Sequence, residues 1–180
     1  MLVKWNFPTN QQLDQFLIDS GKLPFNYQAI GQSEIGHPKG YDLDFNQTTL
    51  GEGNACFEQA KKAIKAWQMF QLPWVKLYSD QTLIQEGALV SVNFCLFGLW
   101  WSNSCEIVYV IDEPNRFGFA YGTKDHVESG EELFLVSKDE QGKVTYTIRA
   151  YSRPKFWLVK LGYPFARYCQ RKFAQSVFKN

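Results

Sequence analysis

The chain has 180 residues, of which 45% are hydrophobic and 17% aromatic, and its formal net charge is +1. This composition is typical of a globular domain and excludes disordered and fibrous proteins. The nearly neutral charge also argues against a protein that coats duplex nucleic acid, so we predict no nucleic-acid partner.

The first third of the chain predicts two helices separated by a strand. Apolar residues recur at helical spacing from residue 11 to residue 20, and Gly21 ends that helix. Residues 41–46 alternate apolar and polar side chains, which predicts a strand. An amphipathic helix follows, and Asn54 is its expected N-cap. The apolar face of this second helix consists of Phe57, Ala60, Ile64 and Trp67.

From residue 74 to residue 151 the sequence pattern is that of strands. Candidate strands cover residues 74–78, 88–97, 104–111, 117–122, 132–137 and 144–151. Short turns join most of them, so we expect antiparallel pairing. One face of these strands is expected to carry Val90, Val92, Phe94, Leu96, Ile107, Tyr109, Ile111, Phe117, Phe119, Tyr121, Val144, Tyr146 and Ile148.

The strand predicted at 117–122 is unusual on its other face, which carries only Gly118, Ala120 and Gly122. Small residues at alternate positions allow another group to approach the backbone closely. We therefore expect a neighbouring part of the chain, or a ligand, to lie there.

The longest stretch without a charged residue runs from Gly87 to Cys105, which is long enough to span a membrane. Its apolar residues alternate with Ser91 and Asn93, however, as they do in a strand. We therefore predict no integral membrane association. The four scattered cysteines are typical of reduced thiols, and the N-terminus lacks the apolar stretch of a secretory signal, so a cytoplasmic location is expected.

The end of the chain is basic and predicted to be helical. Residues 151–180 contain seven Lys and Arg residues and no Asp or Glu. A long helix from about residue 155, with Phe165 on its apolar side, is expected to cover one face of the sheet. The prediction is a single domain over residues 1–180, of the α+β class, with a curved antiparallel sheet of six or more strands and a cover that leaves an apolar pocket at one end.

Several segments carry a family resemblance. They are residues 67–70 (WQMF), 72–75 (LPWV), 98–103 (GLWWSN), 107–114 (IVYVIDEP), 116–123 (RFGFAYGT) and 151–154 (YSRP), with His126, Glu128 and residues 130–132 (GEE). They resemble the family catalogued as domain of unknown function 1990, which is grouped with the START-like, or helix-grip, superfamily. The resemblance covers residues from about 51 to the C-terminus, and residues 1–50 match more loosely.

This resemblance implies a helix-grip fold, in which other members bind lipids, hormones or polyketides in a cavity and occasionally act on them. The family pattern leads us to expect a basic residue at position 106. This chain has Glu106 there instead.

The aromatic face and its flanks supply the candidate ligand-binding residues. Rings offer a large contact area at little conformational cost, and a hydroxyl or a guanidinium can orient a polar ligand atom. The candidates are Phe94, Trp100, Trp101, Tyr109, Phe119, Tyr121, His126, Tyr146 and Arg149. The same rings can equally fill a core, and Arg149 and Arg153 can instead pair with a carboxylate such as Glu106.

Three functions follow from these residues. We predict that the chain binds a hydrophobic small molecule or a lipid, without a cofactor or a metal. The alternative is a small cofactor-independent enzyme of the cyclase or hydrolase type, in which His126 or a cavity tyrosine acts as acid or base; Asp125, Glu128, Glu131 and Glu132 lie near that histidine in sequence. A third alternative is a peripheral protein whose basic C-terminal helix contacts an anionic membrane.

Overall fold

Eight antiparallel strands form the frame of the molecule in a computed structural model that describes residues 1–36, 38–79, 83–125 and 128–154. Two α-helices and one 3₁₀ helix accompany them. In chain order the elements are β1 (Leu2–Lys4), α1 (Asn10–Gly21), β2 (Asp42–Glu52), α2 (Gly53–Lys65), the 3₁₀ helix (Gln68–Phe70), β3 (Val75–Ser79), β4 (Leu89–Leu96), β5 (Leu99–Glu113), β6 (Arg116–Thr123), β7 (Glu128–Lys138) and β8 (Lys143–Pro154).

The strands form one sheet in the order β2-β8-β7-β6-β5-β4-β3. The strand β1 pairs separately with β5, which has 15 residues and therefore has room for three partners. Every pairing is antiparallel. The α+β class and the sheet of six or more strands are confirmed, although β5 begins at Leu99 rather than at residue 104.

The two α-helices start in different ways. Thr9 caps α1 through a reciprocal arrangement with Gln12, in which each side chain accepts a hydrogen bond from the other residue's backbone N–H. The helix α2 begins two residues earlier than the sequence predicts, with Glu52 at the N-cap position. The prediction of Asn54 as N-cap is therefore wrong, and its side chain instead accepts a hydrogen bond from Lys138.

The sheet has two faces with different covers. We call the face that packs against α2 and the 3₁₀ helix the inner face. It carries most of the buried apolar side chains, including Phe119, Phe134 and Tyr146. The outer face is covered by α1 and by the segment 22–41, whose described residues, 22–36 and 38–41, cross it without regular secondary structure.

A β-bulge in β5 corrects one expectation about these faces. The register between β5 and β6 shifts between Ile107 and Tyr109, so that one extra residue is inserted. Because side chains alternate along a strand, Ile107 lies on the inner face whereas Tyr109 and Ile111 lie on the outer face, in a separate small cluster. The prediction that all three share the aromatic face is wrong.

The expected close approach to the small-residue face of β6 is confirmed. The ring of Tyr27, from the segment over the outer face, lies so close to Gly122 that a Cβ there would overlap its hydroxyl oxygen. Glycine at this position therefore makes room for the covering segment and not for a ligand.

A buried carboxylate holds that segment in place. Glu131 is 2% exposed and accepts hydrogen bonds from the Tyr27 hydroxyl at 2.8 Å and from the backbone N–H groups of Gly31 and Ser33 at 2.7 and 2.9 Å. The Tyr151 hydroxyl adds a bond to the Ala29 carbonyl. These contacts attach residues 22–41 to the sheet as a fixed outer layer.

The predicted C-terminal helix from about residue 155 falls outside the described residues. No helix in the described part of the chain is both long and apolar enough to span a membrane. Of the three described cysteines, all unbridged, Cys105 is buried and Cys56 and Cys95 are partly buried.

Candidate ligand-binding face

Five aromatic rings form a continuous cluster on the inner face. Phe119, Tyr121 and Phe134 stand on β6 and β7, with ring centroids 5.3 to 6.4 Å apart. Trp67 precedes the 3₁₀ helix and Phe70 is its last residue. Both rings pack against the three rings of the sheet. Trp67 lies 4.9 Å from Phe119, and Phe70 lies 5.5 Å from Phe134, both edge-on.

One carboxyl group borders this ring cluster. Glu132 stands opposite Tyr121 in the β6–β7 pairing and accepts a hydrogen bond of 2.6 Å from its hydroxyl. Burial raises the pKa of Glu132 to about 7, repulsion from Asp44 adds to the rise, and the hydrogen bond from Tyr121 opposes it. Near neutral pH the carboxyl group is therefore present in both its protonated and its ionised form.

This pair can handle a polar atom in two ways. The protonated Glu132 can donate a hydrogen bond, and the ionised form can accept one, so the group can orient a ligand oxygen or exchange a proton with it. Tyr121 is 8% exposed and keeps its ring within the apolar cluster. The arrangement places one titratable group next to a cluster of buried rings.

A second aromatic group lies on the inner face, on β4 and β5. Phe94 and Trp101 are paired in the β-ladder, and their rings are parallel within 5° with centroids 6.4 Å apart. The indole nitrogen Nε1 of Trp101 is buried and has no hydrogen-bond partner among the described residues. A buried donor without an acceptor is costly, so this N–H group is suited to a ligand acceptor.

The structure separates the predicted site residues into two groups. Phe94, Trp101, Phe119, Tyr121 and Tyr146 lie on the inner face. Trp100, Tyr109 and Arg149 lie on the outer face and therefore do not join them. His126 falls outside the described residues.

The outer-face candidates have structural partners. Trp100 packs edge-on against Phe7 at 4.9 Å. The Tyr109 hydroxyl is 2.7 Å from the Ser33 hydroxyl, and burial raises the pKa of Tyr109 to about 12. Arg149 donates to the backbone carbonyls of residues 34 and 36, so it holds the outer layer rather than pairing with Glu106.

The structure describes part of the predicted acidic constellation, namely Asp125, Glu131 and Glu132, whereas His126 and the side chain of Glu128 lie outside the described residues. Glu131 and Glu132 are consecutive in β7 and therefore point to opposite faces. Asp125 forms an ion pair with the N-terminal amino group. Glu106, at the position where the family pattern suggests a basic residue, forms a largely buried ion pair of 2.6 Å with Lys124. The described carboxylates thus have separate tasks.

Sequence reasoning did not list Glu132, Trp67 or Phe70 among the candidate ligand-binding residues. The signal for Glu132 was available, because residues 132, 134 and 136 share one face of a strand and the other two are Phe134 and Val136. Trp67 has a left-handed backbone with φ of 55°, which no local sequence pattern predicts.

Two open clefts lie away from these residues. One, of about 470 Å³, lies between α1 and β1, and the other, of about 480 Å³, is lined by polar residues that include Tyr27, Tyr41 and Arg153. None of the predicted site residues lines either cleft. Within the described ranges, no three His, Cys, Asp or Glu side chains come together as metal ligands do.

Comparison with known families matches the chain over most of its length. The family described as Domain of unknown function (DUF1990) matches residues 26–180. The chain belongs to this family. A relative of the chain, a UPF0548 protein of Dictyostelium discoideum, is 32% identical over 189 residues, which cover 92% of this chain and 88% of that protein.

Solved structures show the same fold at low sequence identity. Human STARD10 superposes with a TM-score of 0.56 and 12% identity over 97% of this chain and 81% of its own. The structure of Ara h 8.0201 gives a TM-score of 0.55 and 12% identity over 78% of this chain and all of its own. These matches confirm the START-like, helix-grip fold.

Proposed function

We propose that the chain binds a hydrophobic small molecule or a lipid on the inner face of its sheet, with a polar atom of that ligand at Tyr121 and Glu132. The observation that carries the proposal is this hydroxyl–carboxyl pair beside a cluster of five rings. The helix-grip fold supports it, since the resemblance implies that other proteins of this fold bind such ligands in a cavity.

The hydrogen bonding of Glu132 supports a role in binding. Among the described residues, Glu132 accepts one hydrogen bond, from the Tyr121 hydroxyl at 2.6 Å, although a carboxylate has sites for about four. A carboxyl group whose pKa is raised by burial is held in an environment that opposes its charge. A ligand hydroxyl would complete the bonding of this group in either protonation state, and a ligand carbonyl would do so when the group is protonated.

Trp101 supports the same proposal from the other aromatic group. Its buried Nε1 donor and the stacked ring of Phe94 suit a ligand that combines apolar surface with an acceptor oxygen. The ligand class proposed is therefore an amphipathic molecule with a large apolar part and few polar atoms, and not a sugar, nucleotide or metal complex.

A second function, acid–base catalysis on the bound molecule, is favoured by one observation. Glu132 has a pKa of about 7, which is suited to proton transfer at neutral pH. Tyr109 is unsuited, because it lies on the outer face with a pKa of about 12. Incubation with a bound metabolite would distinguish the two functions, since Glu132→Gln should abolish any conversion that mass spectrometry detects in the wild type.

Binding is tested with a dansyl-labelled fatty acid and a matched pair of variants. We expect the wild type to bind the probe and Tyr121→Phe to bind it about fivefold more weakly, near the worth of one hydrogen bond. Tyr109→Phe removes the same atom from the outer face and should bind like the wild type. Both variants should stay within about 1 kcal/mol of wild-type stability.

Native mass spectrometry of the purified protein supplies an independent readout. A co-purified lipid or apolar metabolite would support the proposal. If neither the probe nor an extracted metabolite binds at millimolar concentration, or if Tyr109→Phe weakens binding as much as Tyr121→Phe, the proposal is wrong.

A further inference from the structure

The turn between β4 and β5 carries exposed apolar side chains at one end of the sheet. Phe97 is 80% exposed and the preceding Leu96 is 41% exposed. Trp5, which follows β1, is 77% exposed. We call Trp5, Leu96 and Phe97 the aromatic tip, and we propose that this tip docks the protein onto an anionic membrane surface.

The backbone at Phe97 supports a functional role for its ring. Phe97 has φ of 52° and is followed by Gly98 with φ of 76°, so both central residues of the two-residue turn are left-handed. Such turns favour Asn-Gly or Gly-Gly, because a bulky side chain is strained in this conformation. Strain that persists in a folded protein is often found at functional positions.

A comparison with Trp67 excludes internal packing as the reason for this strain. Trp67 is the other non-glycine residue with positive φ among the described residues, at 55°. Its ring packs edge-on against Phe119, so the core compensates for its strained backbone. Phe97 has the same backbone conformation but directs its ring into solvent, so nothing within the described protein compensates for it.

The strand register brings Trp5 to the same end of the molecule. In the antiparallel pairing of β1 with β5, Lys4 stands opposite Trp100 and Val3 opposite Trp101. The next residue, Trp5, follows the end of this pairing, so it leaves the sheet near Leu99 and the β4–β5 turn. Phe7 then packs against Trp100, which holds the segment after β1 against the sheet.

The charges around the tip favour an anionic surface. Lys4 adjoins Trp5 in sequence, and the Lys76 ammonium lies 4.5 Å from the centre of the Phe7 ring. No Asp or Glu occurs in residues 1–8, 71–79 or 89–105, which build this end of the sheet. Aromatic rings with nearby lysines are the combination that lies at the headgroup level of membranes.

The size of the tip also favours a membrane over a protein partner. Three side chains that project from a turn and a strand end are too few for a stable interface between two copies of the chain, which needs roughly 20 residues a side. A bilayer needs no complementary shape. This proposal does not depend on the ligand proposed above, because its residues are different.

Sedimentation with vesicles tests the proposal. Phosphatidylcholine vesicles with about 30% phosphatidylserine provide the anionic surface, and pure phosphatidylcholine provides the comparison. We expect the wild type to bind the anionic vesicles, to bind less at high salt, and to bind pure phosphatidylcholine more weakly.

Phe97→Asn separates a docking role from a folding role. Asparagine is favoured in this turn, so the variant should melt at the wild-type temperature or higher, while its partition onto vesicles should fall about tenfold. Adding Trp5→Ser to this variant should lower the partition onto vesicles further. Ile35→Asn is the matched control, since Ile35 is 85% exposed elsewhere, and it should bind vesicles like the wild type.

The proposal is overturned if the wild type does not bind anionic vesicles, if the double variant binds them like the wild type, or if Ile35→Asn loses as much binding as Phe97→Asn. It is also overturned if the wild type forms a dimer that Phe97→Asn abolishes, because the occupant of the tip is then a second copy of the chain.

Discussion

Two neighbouring carboxyl groups on β7 show how differently the two faces of the sheet are used. On the outer face, Glu131 is fully surrounded by donors from the Tyr27 hydroxyl and two backbone N–H groups. On the inner face, Glu132 accepts a hydrogen bond from the Tyr121 hydroxyl, and burial raises the pKa of Glu132 to about 7. The strand alternation alone places consecutive residues in these opposite surroundings.

The polar groups on the outer face hold the fold together. Glu131, Arg149 and Tyr151 all bind the irregular segment 22–41, so the outer face is closed by the protein itself. On the inner face, the polar groups of Glu132 and Trp101 lie among rings and make fewer bonds with the described chain. We therefore expect the outer carboxyl group to stabilise the fold, and ligand recognition by the inner one stays a proposal.

The largest effect is expected on the outer face. Glu131→Ala removes the acceptor of three hydrogen bonds and leaves three donors unpaired, two of them backbone groups. We expect a loss of at least about 4 kcal/mol in the free energy of unfolding, measured by urea denaturation. A loss of about 0.5 kcal/mol, as at an ordinary surface position, would refute the structural role of Glu131.

The inner carboxyl group should instead lower stability as the pH rises. A folded-state pKa of about 7, above the ordinary value of 4.5, means that the folded protein holds this proton more tightly than the unfolded chain. The contribution of Glu132 is therefore most favourable below pH 4.5 and is lost as the pH rises through 7.

Glu132→Gln tests this expectation, because glutamine stays neutral. Between pH 4 and pH 8 the stability of the variant relative to the wild type should rise by about 3 kcal/mol, measured by urea denaturation at each pH. Glu140→Gln, at the exposed β7–β8 turn, serves as the control and should show no comparable rise. A relative stability of Glu132→Gln that does not change with pH would show that burial does not perturb this group.

A smaller effect is expected where the outer layer meets β6. Gly122→Ala places a methyl group on the hydroxyl and ring of Tyr27, which overpacks the contact. We expect a loss of about 2 kcal/mol in thermal or urea denaturation. In a Tyr27→Leu background the same change should cost less, because the ring is gone; equal costs in both backgrounds would mean that the two residues do not interact.

Sequence patterns predicted the regular part of this structure well. Alternation and turn residues located the six strands from β3 to β8 and assigned Phe117, Phe119 and Tyr121 to the apolar face. The sheet face predicted for Tyr109 was wrong, because the bulge after Ile107 depends on pairing with β6 and the local sequence pattern does not encode that pairing. One inserted residue reverses every side chain that follows it.

The candidate site was predicted less completely than the sheet. Residues 22–41 have no sequence period, so neither the donors that bind Glu131 nor the backbone carbonyls that accept from Arg149 could be foreseen, and Arg149 remained a ligand candidate. Trp67 and Phe70 reach the inner face because Trp67 has a left-handed backbone and a 3₁₀ helix follows it, ending at Phe70. Side chains brought together by such irregular backbone are the ones that sequence patterns do not place.

The most direct test of the central claim, that the inner face and not the outer face receives the ligand, is a carboxyl-carbon NMR titration of the two neighbouring glutamates. We predict that the Glu132 signal titrates with a midpoint near 7 and moves when the dansyl fatty acid is added, whereas the probe leaves the Glu131 signal in place. A Glu132 midpoint near the ordinary 4.5, or a probe that moves Glu131 and not Glu132, would contradict the account.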